Sequence, residues 1–258
     1  MKQHITETES ILTVIMNLGK EMLMCGAEVN RVEDTINRLC TAYGLKNAEI
    51  FSITSLILVS ARDNEGFSYS QSRRVTSYVF NFYRLEELNA LSRTVCQSTP
   101  SWQDFQLMLD EIVKHSHYSK FLRLLGFVMT SGGFCLLFKG SFQDAFWAGL
   151  ISVVIFLIER LFIRLSINGM LYNFISSLFA GITAFHISSF PIGAHMDKIM
   201  IGDIMLLIPG LMLTNAIKDM LNGDTMAGFL RFCEALLTAL AIALGFWFAM
   251  IATGVLSW

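Results

Sequence analysis

Charge is scarce in this sequence: 16% of the residues are charged, 53% are hydrophobic, and mean hydropathy is +0.53. A water-soluble domain normally carries about a quarter charged residues, so a single soluble globule is excluded. Proline occurs three times, and the five cysteines (Cys25, Cys40, Cys96, Cys135, Cys233) are scattered without a C-x-x-C pair. That spacing excludes a disulfide framework and a structural zinc site, and no metal or cofactor is expected. Net charge is −2 with no basic stripe, which argues against nucleic acid as a partner. A P-loop, a G-x-S-x-G elbow and a Cys–His motif are all missing, so neither ATP-driven work nor familiar nucleophilic catalysis is indicated. The opening MKQHITETES has no apolar run after its Lys and does not read as a signal peptide.

What charge there is lies early. Thirteen of the 19 Lys and Arg residues fall at or before Arg123. The sequence therefore reads as two domains, a head over 1–118 and an apolar part over 119–258. In the head, Ile11, Val14, Ile15, Leu18, Met22 and Cys25 recur at helical spacing, with Thr6 and Glu9 as a capping box and Gly26 as a stop. A second stripe, Val29 to Tyr43, predicts another helix. Three strands are predicted next, over Glu49–Asp63, Phe67–Ser70 and Val75–Tyr83, followed by helices at 85–95 and from Pro100. The expected head is α+β. Its polar cluster Glu28, Arg31, Glu33 and Asp34 contains the helical-neighbour pairs Glu28–Arg31 and Asp34–Arg38, worth tenths of a kcal/mol each. His115 and His117 read as a solvated helix end.

About 20 apolar residues span a bilayer core, and five segments qualify: 121–138, 145–163, 170–190, 199–217 and 235–256. The fold class expected is a membrane protein, with a cytoplasmic α+β head followed by about five transmembrane helices. Lys and Arg in the short loops favour the side of the head, which predicts an inner-membrane protein with its N-terminus inside and C-terminus outside. The fourth span is predicted to break at Pro209-Gly210, because proline removes a backbone donor and glycine frees the chain. Broken helices recur at transport sites. Asn215 and Asp219 lie one turn apart on one face, Asp203 is an ionisable group at depth, and Asn173 is a polar residue in the third span. Each has a plainer reading: a packing kink at Pro209, interfacial ions at Asp219 and Asp203, a helix–helix hydrogen bond at Asn173.

GAEVNRVEDTINRL (Gly26–Leu39), SLILVSA (Ser55–Ala61), LNALSR (Leu88–Arg93), IPGLMLTNAIKDMLNGD (Ile208–Asp224) and GFLRFCEALL (Gly228–Leu237) resemble, in order and spacing, the motifs of the threonine/serine exporter (ThrE-like) family. The resemblance implies a secondary exporter of small hydrophilic metabolites, threonine and serine or small carboxylates, driven by an ion gradient rather than an enzyme. Long family members carry a second, membrane-only half. A chain of this length implies the larger subunit of a split system, an oligomer in the bilayer with a separate small membrane subunit as partner. An alternative is a membrane-anchored enzyme or regulatory scaffold acting through the head.

Overall fold

The computed structural model describes residues 2–76, 78, 80–114, 119–191 and 193–255; His115 and His117 lie outside them. In chain order the elements are α1 (Lys2–Met24), α2 (Val29–Ala42), β1 (Lys46–Ile53), β2 (Leu56–Arg62), β3 (Ser68–Arg74), α3 (Phe82–Ser98) and α4 (Trp102–Lys114). Then come α5 (Lys120–Leu137), α6 (Phe142–Arg164), α7 (Gly169–Ser189), α8 (Met196–Leu207), α9 (Gly210–Leu221) and α10 (Thr225–Ala252). They form two compact units, Met1–His117 with Leu211–Phe232, and Tyr118–Gly210 with Cys233–Trp258.

The first unit is an α+β head built on large apolar side chains. Leu12, Ile15, Leu18 and Met22 of α1, Val32, Ile36 and Leu39 of α2, and Leu88 and Phe105 of α3 and α4 are fully buried together. Burying each such side chain contributes roughly 1.5–3 kcal/mol. The sheet is an antiparallel meander in the order β1-β2-β3. Ile57, Val59 and Ala61 face the core while Leu58 faces out, the period-two alternation of a half-buried strand. Asp63 closes the β2–β3 turn by accepting the Glu65 and Phe67 amides and the Tyr69 hydroxyl, each at 2.9 Å. Burial works to raise its carboxyl, but these hydrogen bonds outweigh it and hold Asp63 below the usual range.

Three expectations need correction here. The helix opens at Lys2, ahead of the capping box expected at Thr6 and Glu9. The single strand expected over Glu49–Asp63 is a hairpin, β1 and β2 joined at Thr54–Ser55, so the expected second strand is β3; the described residues from Val75 to Asn81 form no strand, and Phe82 and Tyr83 open α3. The aromatic alternation from Val75 has another cause. The Asn81 amide donates to the Cys25 carbonyl at 3.2 Å, the Asn81 side chain caps α3 by accepting from the Arg84 amide at 3.0 Å, and Phe80 packs over Gly26. The third correction is that Glu28 and Arg31 do not pair. Asp34 and Arg38 do, at 2.9 Å.

The second unit has a different burial pattern, with small residues buried beside large ones such as Ile155 and Phe246. Ser131, Ala148, Ser152, Ser176, Ser177, Ala180 and Ala184 are buried, while Met129 (72% exposed), Leu137 (71%) and Phe142 (85%) point outward. Small residues let helices approach closely where no hydrophobic effect drives them together. A methyl group added to Gly202 of α8 would lie 2.6 Å from the Ser131 carbonyl of α5. Among the described residues four helices are long and apolar enough to cross a membrane, and the broken pair α8 and α9 makes a fifth candidate. The break falls at Pro209, which has no amide to donate, as the sequence predicts. α10 begins ten residues before the expected span because the helix absorbs Arg231 and Glu234 rather than starting after them.

Candidate functional site

The most concentrated buried chemistry in the first unit joins the α1–α2 turn to α9 and the start of α10. Gly26, at φ +94°, takes the left-handed conformation that ends α1; its amide donates to Leu23 and that of Ala27 to Met22, both at 3.1 Å. This Schellman turn leaves the Gly26 and Ala27 carbonyls free for other partners. On α9, Asn215 and Asp219 share a face, as their spacing predicts, and both are buried. The Asn215 amide donates to the Gly26 carbonyl at 3.0 Å. Asp219 Oδ1 accepts the Val29 amide at 3.2 Å, at the first residue of α2, where unpaired N–H groups and the helix dipole favour an anion.

The other oxygen of Asp219 meets Arg231 at 2.7 Å, both side chains almost fully buried. Arg231 also reaches the Ala27 carbonyl at 3.4 Å. Gly228 makes this possible: an added methyl group would strike the Ala216 carbonyl at 2.7 Å, so only glycine lets α10 lie this close to α9. At the exposed rim Lys218 pairs with Glu28 at 3.0 Å. A carboxylate, a guanidinium, a side-chain amide and two carbonyls thus converge in one dry cluster.

The other residues singled out in the sequence lie elsewhere. Glu33 accepts the Ser52 amide at 2.6 Å; burial raises its carboxyl above the usual range, against the pull of that hydrogen bond and with Asp224 adding to the rise. Arg31 makes a 3.4 Å hydrogen bond to Asn89. In the second unit Asp203 is buried and accepts the Ser131 hydroxyl at 2.7 Å, with no cation paired to it among the described residues. Asn173 is half-buried on α7, its carbonyl accepting from Ser177. Pro209 and Gly210 form the break itself, the Gly210 amide donating to Ile208 at 2.8 Å.

Sequence reasoning missed Arg231, counted only as a loop charge. The signal available was an arginine among apolar residues, 12 positions after Asp219. It also missed Asp144, which completes a capping box with Ser141 and accepts the His195 amide at 2.7 Å. The S-x-x-D spacing was the cue.

A folded head and a set of apolar helices that enclose carboxylates such as Asp144 and Asp203 fit a polytopic membrane protein. A sequence model described as "Putative threonine/serine exporter" matches residues 13–252, and the chain belongs to that family. It is similar to the "Probable succinate transporter subunit YjjP" of Klebsiella aerogenes, 24% identical over all of both chains. The protein of the same name from Escherichia coli K12 is 24% identical over 98% of this chain and 99% of its own. The "Threonine/serine exporter" of Corynebacterium glutamicum is 22% identical over 93% of this chain, and the match covers 50% of that longer protein. No solved structure matches. The family and these relatives are transporters, not enzymes.

Proposed function

We propose that this chain is the larger subunit of a secondary exporter for small hydrophilic metabolites, working with a separate small membrane subunit in the bacterial inner membrane. The N-terminus and head lie inside and the C-terminus outside, and an ion gradient supplies the drive. The observation that carries this reading is the Asp219–Arg231 pair, closed over by the head's own Gly26–Val29 turn. The split arrangement is supported by the subunit names of the two full-length relatives and by the half-length match to the longer exporter.

In this reading the turn is a gate. While it is seated, the head's backbone satisfies Asn215, Asp219 and Arg231. When it lifts, those groups are left unpaired in a dry site, a costly state that a substrate relieves. Arg231 then takes a substrate carboxylate through its planar fork, and Asn215 donates a hydrogen bond. Asp219 takes the ammonium of a threonine-like amino acid, or carries a proton when the substrate is a dicarboxylate. Pro209 and Gly210 contribute open backbone, and Asp203 and Asn173 are path residues within the second unit. Asp203, with no cation beside it, is a second place for the coupling proton.

The test is efflux from vesicles that hold both subunits and are loaded with threonine, serine or succinate. Asp219→Asn and Arg231→Gln are each expected to cut the rate roughly a hundredfold, since each leaves a buried charge without its partner. Efflux unchanged in both variants would remove this site from the path. Which of the three metabolites leaves fastest in the wild type identifies the substrate class.

A further inference from the structure

A second polar feature of the head lies apart from the Asp219 cluster. One stripe of α2 and one of α3 face each other across a groove of about 320 Å³. Arg31 and Arg38 come from α2, Arg93 from α3, and Asp34 is the one carboxylate in the lining. Asp34 is already committed to Arg38 at 2.9 Å. Arg31 makes only the long 3.4 Å hydrogen bond to Asn89. Arg93 has no hydrogen bond or ion pair among the described residues. Two guanidinium groups are therefore left without an anion in a concave site whose floor carries the buried Ser92 hydroxyl.

Guanidinium groups are planar forks that hold carboxylate or phosphate oxygens in pairs, and two of them facing across a groove suit an anion with charge at both ends. The volume is at the lower end of small-molecule sites, which suits a small anion. Surface arginines normally spread apart or pair with carboxylates. Here the i, i+7 spacing of Arg31 and Arg38 puts both on the α2 face turned to α3, and Arg93 lies on the α3 face turned back.

We infer that the α2–α3 groove is a binding site for a small dianion, a dicarboxylate or inorganic phosphate, held between Arg31, Arg38 and Arg93. The site is built within the head alone and rests on no part of the transport reading.

Calorimetric titration of the full-length protein in neutral detergent, at low salt, tests this with succinate and with phosphate as separate probes and acetate as the monoanion control. Saturable one-to-one binding of a dianion, with acetate much weaker, is expected. The exposed double variant Arg31→Gln/Arg93→Gln should bind roughly tenfold more weakly or not at all. Asp34→Asn removes the competing carboxylate and should bind several-fold more tightly. The double variant leaves Asn215, Asp219 and Arg231 untouched, so a loss of binding there is assigned to this groove and not to the transport site. Absence of saturable binding, or affinity unchanged in the double variant, overturns the inference. Binding seen only with nanodiscs containing anionic lipid also overturns it, by assigning the arginines to a membrane surface.

Discussion

The two units of this protein are made from much the same apolar residues and differ in how many small polar and alanine side chains they bury beside the large ones. The head hides Leu12, Ile15, Leu18, Met22 and Phe105 and covers itself with charge. The helical unit hides Ser131, Ser152, Ser176, Ser177 and alanines, and turns Met129, Leu137 and Phe142 outward. In water, removing large side chains from solvent is the dominant gain, so they go inside. In lipid that gain vanishes, large side chains can face either way, and close backbone approach with hydrogen bonding between small polar residues matters more. The same contrast explains the ionisable groups. The head leaves most of its charges at the surface, where pairs such as Asp34–Arg38 are worth little. In the helical unit Asp203 and Asp144 are enclosed and held by specific donors.

The α9–α10 corner tests where the boundary between these regimes falls, because it carries a buried ion pair yet clusters with the head. Arg231→Met alone leaves Asp219 buried without its cation and should cost about 3–5 kcal/mol of stability. The double variant Asp219→Leu/Arg231→Met removes both charges and should recover most of that loss, while abolishing efflux. A thermal melt of each variant in detergent reads the difference. A double variant as unstable as the single would mean that the hydrogen bonds to Val29 and Ala27, rather than the charges, hold the corner.

The contrast in burial can be broken more directly. Leu88→Ala, in the head core, should cost about 2–5 kcal/mol through lost burial and the cavity left behind. Met129→Ala removes a side chain of similar size from the outer face of α5, and should shift the melt by less than about 0.5 kcal/mol. Equal losses would mean that Met129 is covered by protein, as a partner subunit would do, rather than by lipid.

Much of this organisation was legible in the sequence, and what failed did so for local reasons. The helical stripes of α1 and α2, the break at Pro209 and the shared face of Asn215 and Asp219 follow from periods of a few residues. Any partner far away in sequence is invisible to such periods. Asn215 and Asp219 meet Gly26 and Val29, about 190 positions earlier, and nothing in a window of α9 indicates that its polar face is closed by backbone from the head. The strand expected from Val75 failed because alternating aromatics satisfy a strand template equally when, as with Phe80, one covers a glycine in a connection. Arg231 was misjudged because an arginine at the edge of an apolar run is normally at a membrane surface, and here Gly228 draws it inward onto Asp219.

The smallest effect expected concerns pH, and it separates two carboxylates within the head. Asp63 is held below its usual range, so its contribution is present above about pH 4, the unfolded value, and is lost as pH falls through its folded one. Glu33 is the reverse. Burial raises its carboxyl, so the folded state prefers the protonated form, and its contribution is full below about pH 4.3 and is lost as pH rises through the raised value. Gln in place of Glu33 imitates the protonated acid and keeps an oxygen for the Ser52 amide. The Glu33→Gln variant should therefore melt at the wild-type temperature near pH 4 and about a degree or two above it at pH 8, the half-exposed position keeping the gain small. A variant less stable than wild type at pH 8 would show that the ionised carboxylate gains more from the Ser52 amide than it loses to burial beside Asp224. The α2–β1 contact would then hold its charge as firmly as the turn at Asp63 does.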